Sequence, residues 1–102
     1  MMCLPPAKEI YTGEITGTTQ AVRLDSLPVS YVKFKAQSGN STNVYIGAIS
    51  TLTVADGVSD TTTGFELDAG QETDWIPVAN LNQLYVIANS VGDDLTYFAI
   101  LS

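Results

Sequence analysis

A chain of 102 residues with 45% apolar and 9% aromatic side chains has the size and composition of one folded domain, which excludes a wholly disordered protein. Its net charge is −7, from 4 basic and 11 acidic side chains. Lys8, Arg23, Lys33 and Lys35 supply all the positive charge, whereas residues 51–102 carry Asp56, Asp60, Glu66, Asp68, Glu72, Asp74, Asp93 and Asp94 and no cation. Such a surface repels phosphate and argues against nucleic acid as a partner.

Taken in chain order, residues 1–8 contain Pro5-Pro6 and no alternation, and read as an extended arm ahead of a single domain over 9–102. Candidate strands follow at 9–15 and 19–24, then a turn at Ser26-Leu27-Pro28. Residues 31–36 alternate cleanly, with Val32, Phe34 and Ala36 on one face and Tyr31, Lys33 and Lys35 on the other, the mark of a half-buried strand. A turn around Gly39-Asn40 leads to a strand at 43–49, which 51–54 either extends or follows as a short separate piece. Residues 55–63 are an irregular polar stretch. Strands are then expected at 64–67, 72–78, 83–89 and 95–101, with Pro77 implying an edge position or a bulge because proline cannot donate to a ladder. No segment shows a helical period.

Eight short strands separated by turns at intervals of about 8–12 residues are the pattern of a β-sandwich or barrel. The expected fold is all-β, a single-domain sandwich that is jelly-roll-like rather than immunoglobulin-like. Leu84-Tyr85-Val86-Ile87-Ala88 and Tyr97-Phe98-Ala99-Ile100-Leu101 are apolar on both faces, since successive strand side chains point to opposite sides. Each such strand needs a cover beyond its own core, and another copy or another protein is the expected source. Assembly is therefore the first functional hypothesis.

Chemistry has few places to reside. With no histidine, the Ser-His-Asp and Cys-His arrangements are excluded, along with the commonest zinc ligand. Cys3 is alone, so no internal disulfide is expected, and manufacture in a reducing cytoplasm is. No apolar run approaches the ~20 residues of a membrane helix, and the start lacks the apolar core of a secretory leader, so no membrane partner is expected. The pairs Glu66 with Asp68 and Glu72 with Asp74 could each share a strand face as hydrolytic carboxylates, although solvated turns account for them more simply. Asp56-Gly57-Val58-Ser59-Asp60 has the hard oxygens of a calcium loop but not the regular ligand spacing. Tyr11, Tyr31, Tyr45, Tyr85, Tyr97 and Trp75 could stack on sugar rings, yet aromatic residues are ordinary strand formers. Trp75, beside Ile76 and Pro77, reads as a sandwich edge or an interface anchor. No enzyme, cofactor or metal is expected.

Asn43-Val44-Tyr45-Ile46-Gly47, a Thr/Ser/Gly-rich loop, and Gly64-Phe65-Glu66-Leu67-Asp68-Ala69-Gly70-Gln71 together resemble small structural proteins of tailed bacteriophages. In those, an N-x-Y-V-G strand is followed by a G-x-x-L-x-x-G turn and an L-x-x-L-Y-V-I-A strand, here Leu81-Asn82-Gln83-Leu84-Tyr85-Val86-Ile87-Ala88. Leu95-Thr96-Tyr97-Phe98-Ala99 also matches in type, so the likeness runs from about Ala21 to the C terminus. The resemblance implies a virion protein, a decoration (cement) or auxiliary protein that binds the outer surface of the phage head and stabilises it. It implies the major capsid protein as partner and the capsid surface as location. Self-association is expected as well, a trimer among its forms. Leu4, Pro5, Pro6 and Ile10 are the arm residues expected at the capsid contact, with Trp75 as a further anchor. The alternative is a carbohydrate-binding or structural module of a head fibre or tail.

Overall fold

The computed structural model describes residues 9–54 and 63–102. Within them the chain forms eight strands: β1 (Ile10–Thr16), β2 (Val22–Arg23), β3 (Val29–Ala36), β4 (Val44–Gly47), β5 (Phe65–Leu67), β6 (Ile76–Pro77), β7 (Tyr85–Ala88) and β8 (Asp94–Leu101). One 3-10 turn, Leu81–Gln83, interrupts them, and no α-helix occurs among the described residues. Leu4, Pro5, Pro6 and the Asp56–Asp60 loop lie outside the described residues.

The strands form two antiparallel sheets, in the orders β1-β8-β3-β6 and β2-β7-β4-β5. First pairs with eighth, second with seventh, third with sixth and fourth with fifth. That is one long hairpin rolled up so that alternate pairs fall in opposite sheets, which makes the fold a jelly roll. The expected architecture is thus the observed one. Pro77 lies in β6 at the edge of the first sheet, where a missing N–H costs no ladder bond.

The core follows from strand alternation. Val32, Phe34 and Ala36 of β3 stand beside Ala99, Tyr97 and Leu95 of β8 on the inner face of the first sheet. Val44, Ile46, Leu67, Val86 and Ala88 oppose them from the second, with Leu24, Val29, Leu81 and Leu84 closing the ends. Each fully buried Val, Leu, Ile or Phe side chain among them contributes about 1.5–3 kcal/mol. Tyr97 fits under the β1 edge because Gly13 has no side chain; a Cβ there would meet the phenol ring at 2.5 Å. Burial first, then the neighbouring Tyr11 and Asp25, push the Tyr97 hydroxyl above its ordinary pKa.

The outer face of the second sheet has its own cover. Tyr45 and Ile87 point outward there, and Leu52 folds back over them to form a second buried cluster edged by Ala21, Val54 and Tyr85. Gly47 admits this return, since a Cβ there would collide with a Leu52 methyl. Tyr45 is buried and donates its hydroxyl to Glu66 at 2.8 Å, which satisfies its polar end. Thr53 and Thr63 close the ends of the connection by donating backbone N–H groups to each other's hydroxyls, at 3.1 and 3.0 Å. The expectation of an external cover therefore fails for β7: the chain supplies the second cover itself. Residues 51–54 neither extend β4 nor form a separate strand; they carry the leucine that does the covering.

The turn at 37–43 and the turn at 89–93 are pinned to each other at one end of the sandwich. Asp93, buried after β7, accepts backbone N–H groups from Ser41 at 3.1 Å and Thr42 at 2.7 Å, and both their hydroxyls. Asn40 mimics a strand neighbour, accepting from the Asp94 N–H and donating to its carbonyl, each at 2.8 Å. These bonds favour the charged form and hold the Asp93 carboxyl below the usual carboxylate range, the Thr42 hydroxyl contributing most. A lowered folded pKa stabilises the fold above the unfolded value, about 3.9, and that stabilisation is lost as pH falls through the folded value. Asp93→Asn is therefore expected to melt lower than the parent at neutral pH. It should also show a shallower loss of stability between about pH 4 and more acidic conditions, read by thermal melts across that window.

Candidate functional site

With Tyr45 and Ile87 covered by Leu52, no comparable cover lies over the outer face of the first sheet among the described residues. Strand pairing places residues in rows across it: Ile10, Ile100 and Tyr31; then Thr12, Phe98 and Lys33; then Glu14, Thr96 and Lys35. Phe98 is 43% exposed and Ile10 62%, whereas Ile100 in the first row is buried at 4%.

The β6 edge completes the face through a bulge. Glu72 bridges Lys35 while Ile76 pairs with Val32, so four steps along this edge match three along β3. Thr73 absorbs the excess: its N–H donates to the Phe34 carbonyl at 2.8 Å, and its hydroxyl accepts the Phe34 N–H at 3.0 Å in place of a carbonyl. Register resumes at Ile76, and Trp75 is set beside Lys33 on the outer face. The indole meets Phe98 at 6.0 Å between ring centroids, inclined at 75°, an edge-to-face pair. Lys33 holds its ammonium 6.0 Å from the indole centroid and 3.2 Å from Glu72.

These side chains bound a groove of about 700 Å³ whose walls are Trp75, Glu72, Thr12 and Glu14 and whose floor is Phe98, Thr96, Lys33 and Lys35. A smaller apolar slot of about 290 Å³ also borders Trp75, with Ile76 beside it and the paired Ile46 and exposed Phe65 of the second sheet completing its lining. Trp75 is therefore a ridge shared by two apolar hollows. The arrangement can bury apolar area against a partner while two lysines and two glutamates set orientation.

Of the expected contact residues, Ile10 and Trp75 fall on this one face, at its two lateral edges. Phe98 and Lys33 join them and were not singled out from sequence. Their signals were present, in the outward alternation of Lys33 and in the two-sided apolarity of the last strand. Three of the four carboxylates in the suspected pairs have partners within the fold. Glu66 accepts the Tyr45 hydroxyl, Glu72 pairs with Lys33, and Asp74 accepts the N–H of Trp75 at 3.0 Å. Among the described residues, no three metal-capable side chains converge. Four of the five tyrosines lie elsewhere, Tyr45 buried, Tyr97 stacked inside on Tyr11 at 6.1 Å, and Tyr85 on the other sheet beneath Arg23 at 5.8 Å, whereas half-buried Tyr31 shares the outer face with Trp75.

No family model matches the chain, and no curated protein matches it. Among solved structures, it is similar to a subunit of Bacillus endospore appendages, described as a novel family of disulfide-linked pili. The identity is 16%, over 100% of this chain and 97% of that one, with a TM-score of 0.42. A likeness of that degree carries no functional meaning for this chain.

Proposed function

We propose that this chain is a non-enzymatic structural protein of a phage virion, a decoration protein that docks on the outer surface of the head and stabilises it. The observation that carries the docking half is the Trp75–Phe98 pair, half-buried Trp75 against exposed Phe98, on a sheet face that no described strand or loop covers as Leu52 covers the other. The phage half rests on the resemblance of the 43–47, 64–71 and 81–88 segments. A protein of this kind works by repeated weak contacts, many copies on one shell, so a shallow aromatic ridge serves where a deep cleft would be needed for catalysis.

The test is co-sedimentation with expanded heads built from the major capsid protein of the phage that encodes the chain. Saturable binding and a raised melting temperature of the shell support the proposal; no binding to expanded or unexpanded heads refutes it. Trp75→Ala is expected to weaken binding about 30-fold, equivalent to ~2 kcal/mol, with the fold intact by circular dichroism.

A second reading has its own observation. Aromatic Trp75 and Phe98 beside the hydroxyls of Thr12 and Thr96 and the charges of Glu14 and Lys35 could hold a sugar chain along the groove, as on a fibre or tail module. A glycan array that stays blank at high protein concentration removes that reading and leaves the first untouched.

A further inference from the structure

The two sheets have four edges, and three are protected. β2 and β6 are two residues long, β6 also carries Pro77, and β5 has three residues. β1 is different. It runs seven residues, Ile10–Thr16, with neither proline nor lysine, and no described strand pairs with its outer side. Soluble proteins guard long flat edges because their free N–H and C=O groups template pairing with another chain.

The direction of those groups follows from the ends of the strand. The Glu9 carbonyl accepts from Leu101 at 2.8 Å and the Gly17 N–H donates to Asp93 at 2.8 Å, both toward the β8 side. By strand alternation Tyr11, Gly13 and Ile15 point their backbone groups the same way, so Ile10, Thr12, Glu14 and Thr16 present theirs outward. Two of the large exposed apolar side chains, Ile10 and Tyr11 (47%), lie on this same strand.

We infer that β1 pairs with β1 of a second copy, antiparallel about a two-fold axis at Gly13, which joins two first sheets into one continuous sheet. The strand is self-complementary in that register. Thr12 lies opposite the partner's Glu14 and Ile10 opposite the partner's Thr16, and these pairs exchange the outward backbone bonds. On the inner face Tyr11 lies against the partner's Ile15, covering a ring that a single copy leaves half exposed. Gly13 faces its own copy, with the Tyr97 ring filling the space a side chain would take. Centring the axis on Glu14 instead would set two carboxylates face to face, which disfavours that register. The contact is isologous, so it closes as a dimer and not as a trimer. It leaves both Trp75 ridges open and stands independently of the proposed function.

Sedimentation equilibrium of the full chain, in reducing buffer at physiological salt, tests it. The expected mass is twice the 10.9 kDa of the chain, with slow hydrogen exchange at the amides of Ile10, Thr12, Glu14 and Thr16. Thr12→Pro and Glu14→Pro each remove one outward N–H and should give monomers with unchanged near-ultraviolet circular dichroism. Two further variants keep every amide and read the register: Thr12→Glu should weaken the dimer roughly fivefold or more, and Thr12→Lys should tighten it. A monomer at every concentration overturns the inference, and so does a monomer with those amides already protected, because the edge is then covered within one chain. A trimer overturns it, as does an oligomer that both proline variants leave intact or one indifferent to the charge at position 12.

Discussion

Leu52→Ala is expected to lower stability by about 2–5 kcal/mol, the range for deleting a large aliphatic side chain from a well-packed site. Leu52 is buried over Gly47, in contact with Tyr45 and Ile87 on the outside of the second sheet. Its loss opens a cavity between the connection and the sheet, and exposes the outward faces of β4 and β7 to solvent. Two measurements check this: the denaturant midpoint, which should fall, and binding of a hydrophobic dye to the folded variant, which should rise. The inner core cluster does not include Leu52, so the variant should keep its far-ultraviolet spectrum while losing the cover. An unaltered midpoint would show that the second sheet does not depend on this cover.

Gly17→Ala should cost about 2–4 kcal/mol, for a different reason. A Cβ at position 17 would lie 2.5 Å from the Asp93 carbonyl oxygen and 2.8 Å from the Ala88 Cβ. Neither neighbour is the free end of a flexible side chain. Relief requires moving the turn after β7, and with it the bonds from Gly17 N–H to Asp93 at 2.8 Å and from Gly92 N–H to Gly17 at 3.1 Å. The same turn holds Ser41 and Thr42 through Asp93, so the damage should spread to the Gly39-Asn40 turn and appear there as faster hydrogen exchange. Gly39→Ala is the control, since a Cβ at that position meets nothing within 4 Å, and it should stay within about 0.5 kcal/mol of the parent.

How much of this molecule can be read from its residues differs by level. The alternation of Val32, Phe34 and Ala36 against Tyr31, Lys33 and Lys35 states which side of β3 is buried, because the pleat makes facing a local property. Pro77 likewise states that its strand is an edge. Strand spacing narrows the class to a sandwich or a barrel, and the rolled pairing is then one of few unknotted solutions. The cover over β7 is another matter. Its two-sided apolarity is visible in Leu84-Tyr85-Val86-Ile87-Ala88, but nothing local says that Leu52, more than thirty residues earlier, lies across it. The open space at Gly47 that admits Leu52 is a tertiary fact. The same holds at Trp75, whose place on the outer face depends on a bulge in which the Thr73 hydroxyl replaces a backbone acceptor. Phe98 and Lys33 become neighbours of Trp75 only once β8, β3 and β6 are side by side.

The asymmetry between the two sheets carries the functional argument. One outer face is sealed by the chain's own connection and finishes with Glu66, Arg23 and half-buried Tyr85. The other presents an aromatic ridge and two lysines on a protein whose net charge is −7. Lys33 and Lys35 lie there beside Glu14 and Glu72, so on the proposed reading mixed charge around the apolar area would set orientation while the acidic remainder would discourage contact elsewhere. On a shell, that arrangement would set the first sheet inward and leave the covered sheet to solvent.

Hydroxyl-radical footprinting of the chain on expanded phage heads tests that orientation most directly. Trp75 and Phe98 should lose reactivity on binding while Tyr85, on the opposite sheet, keeps the reactivity it has in the free protein. Protection of Tyr85 with Trp75 and Phe98 unchanged would contradict the account.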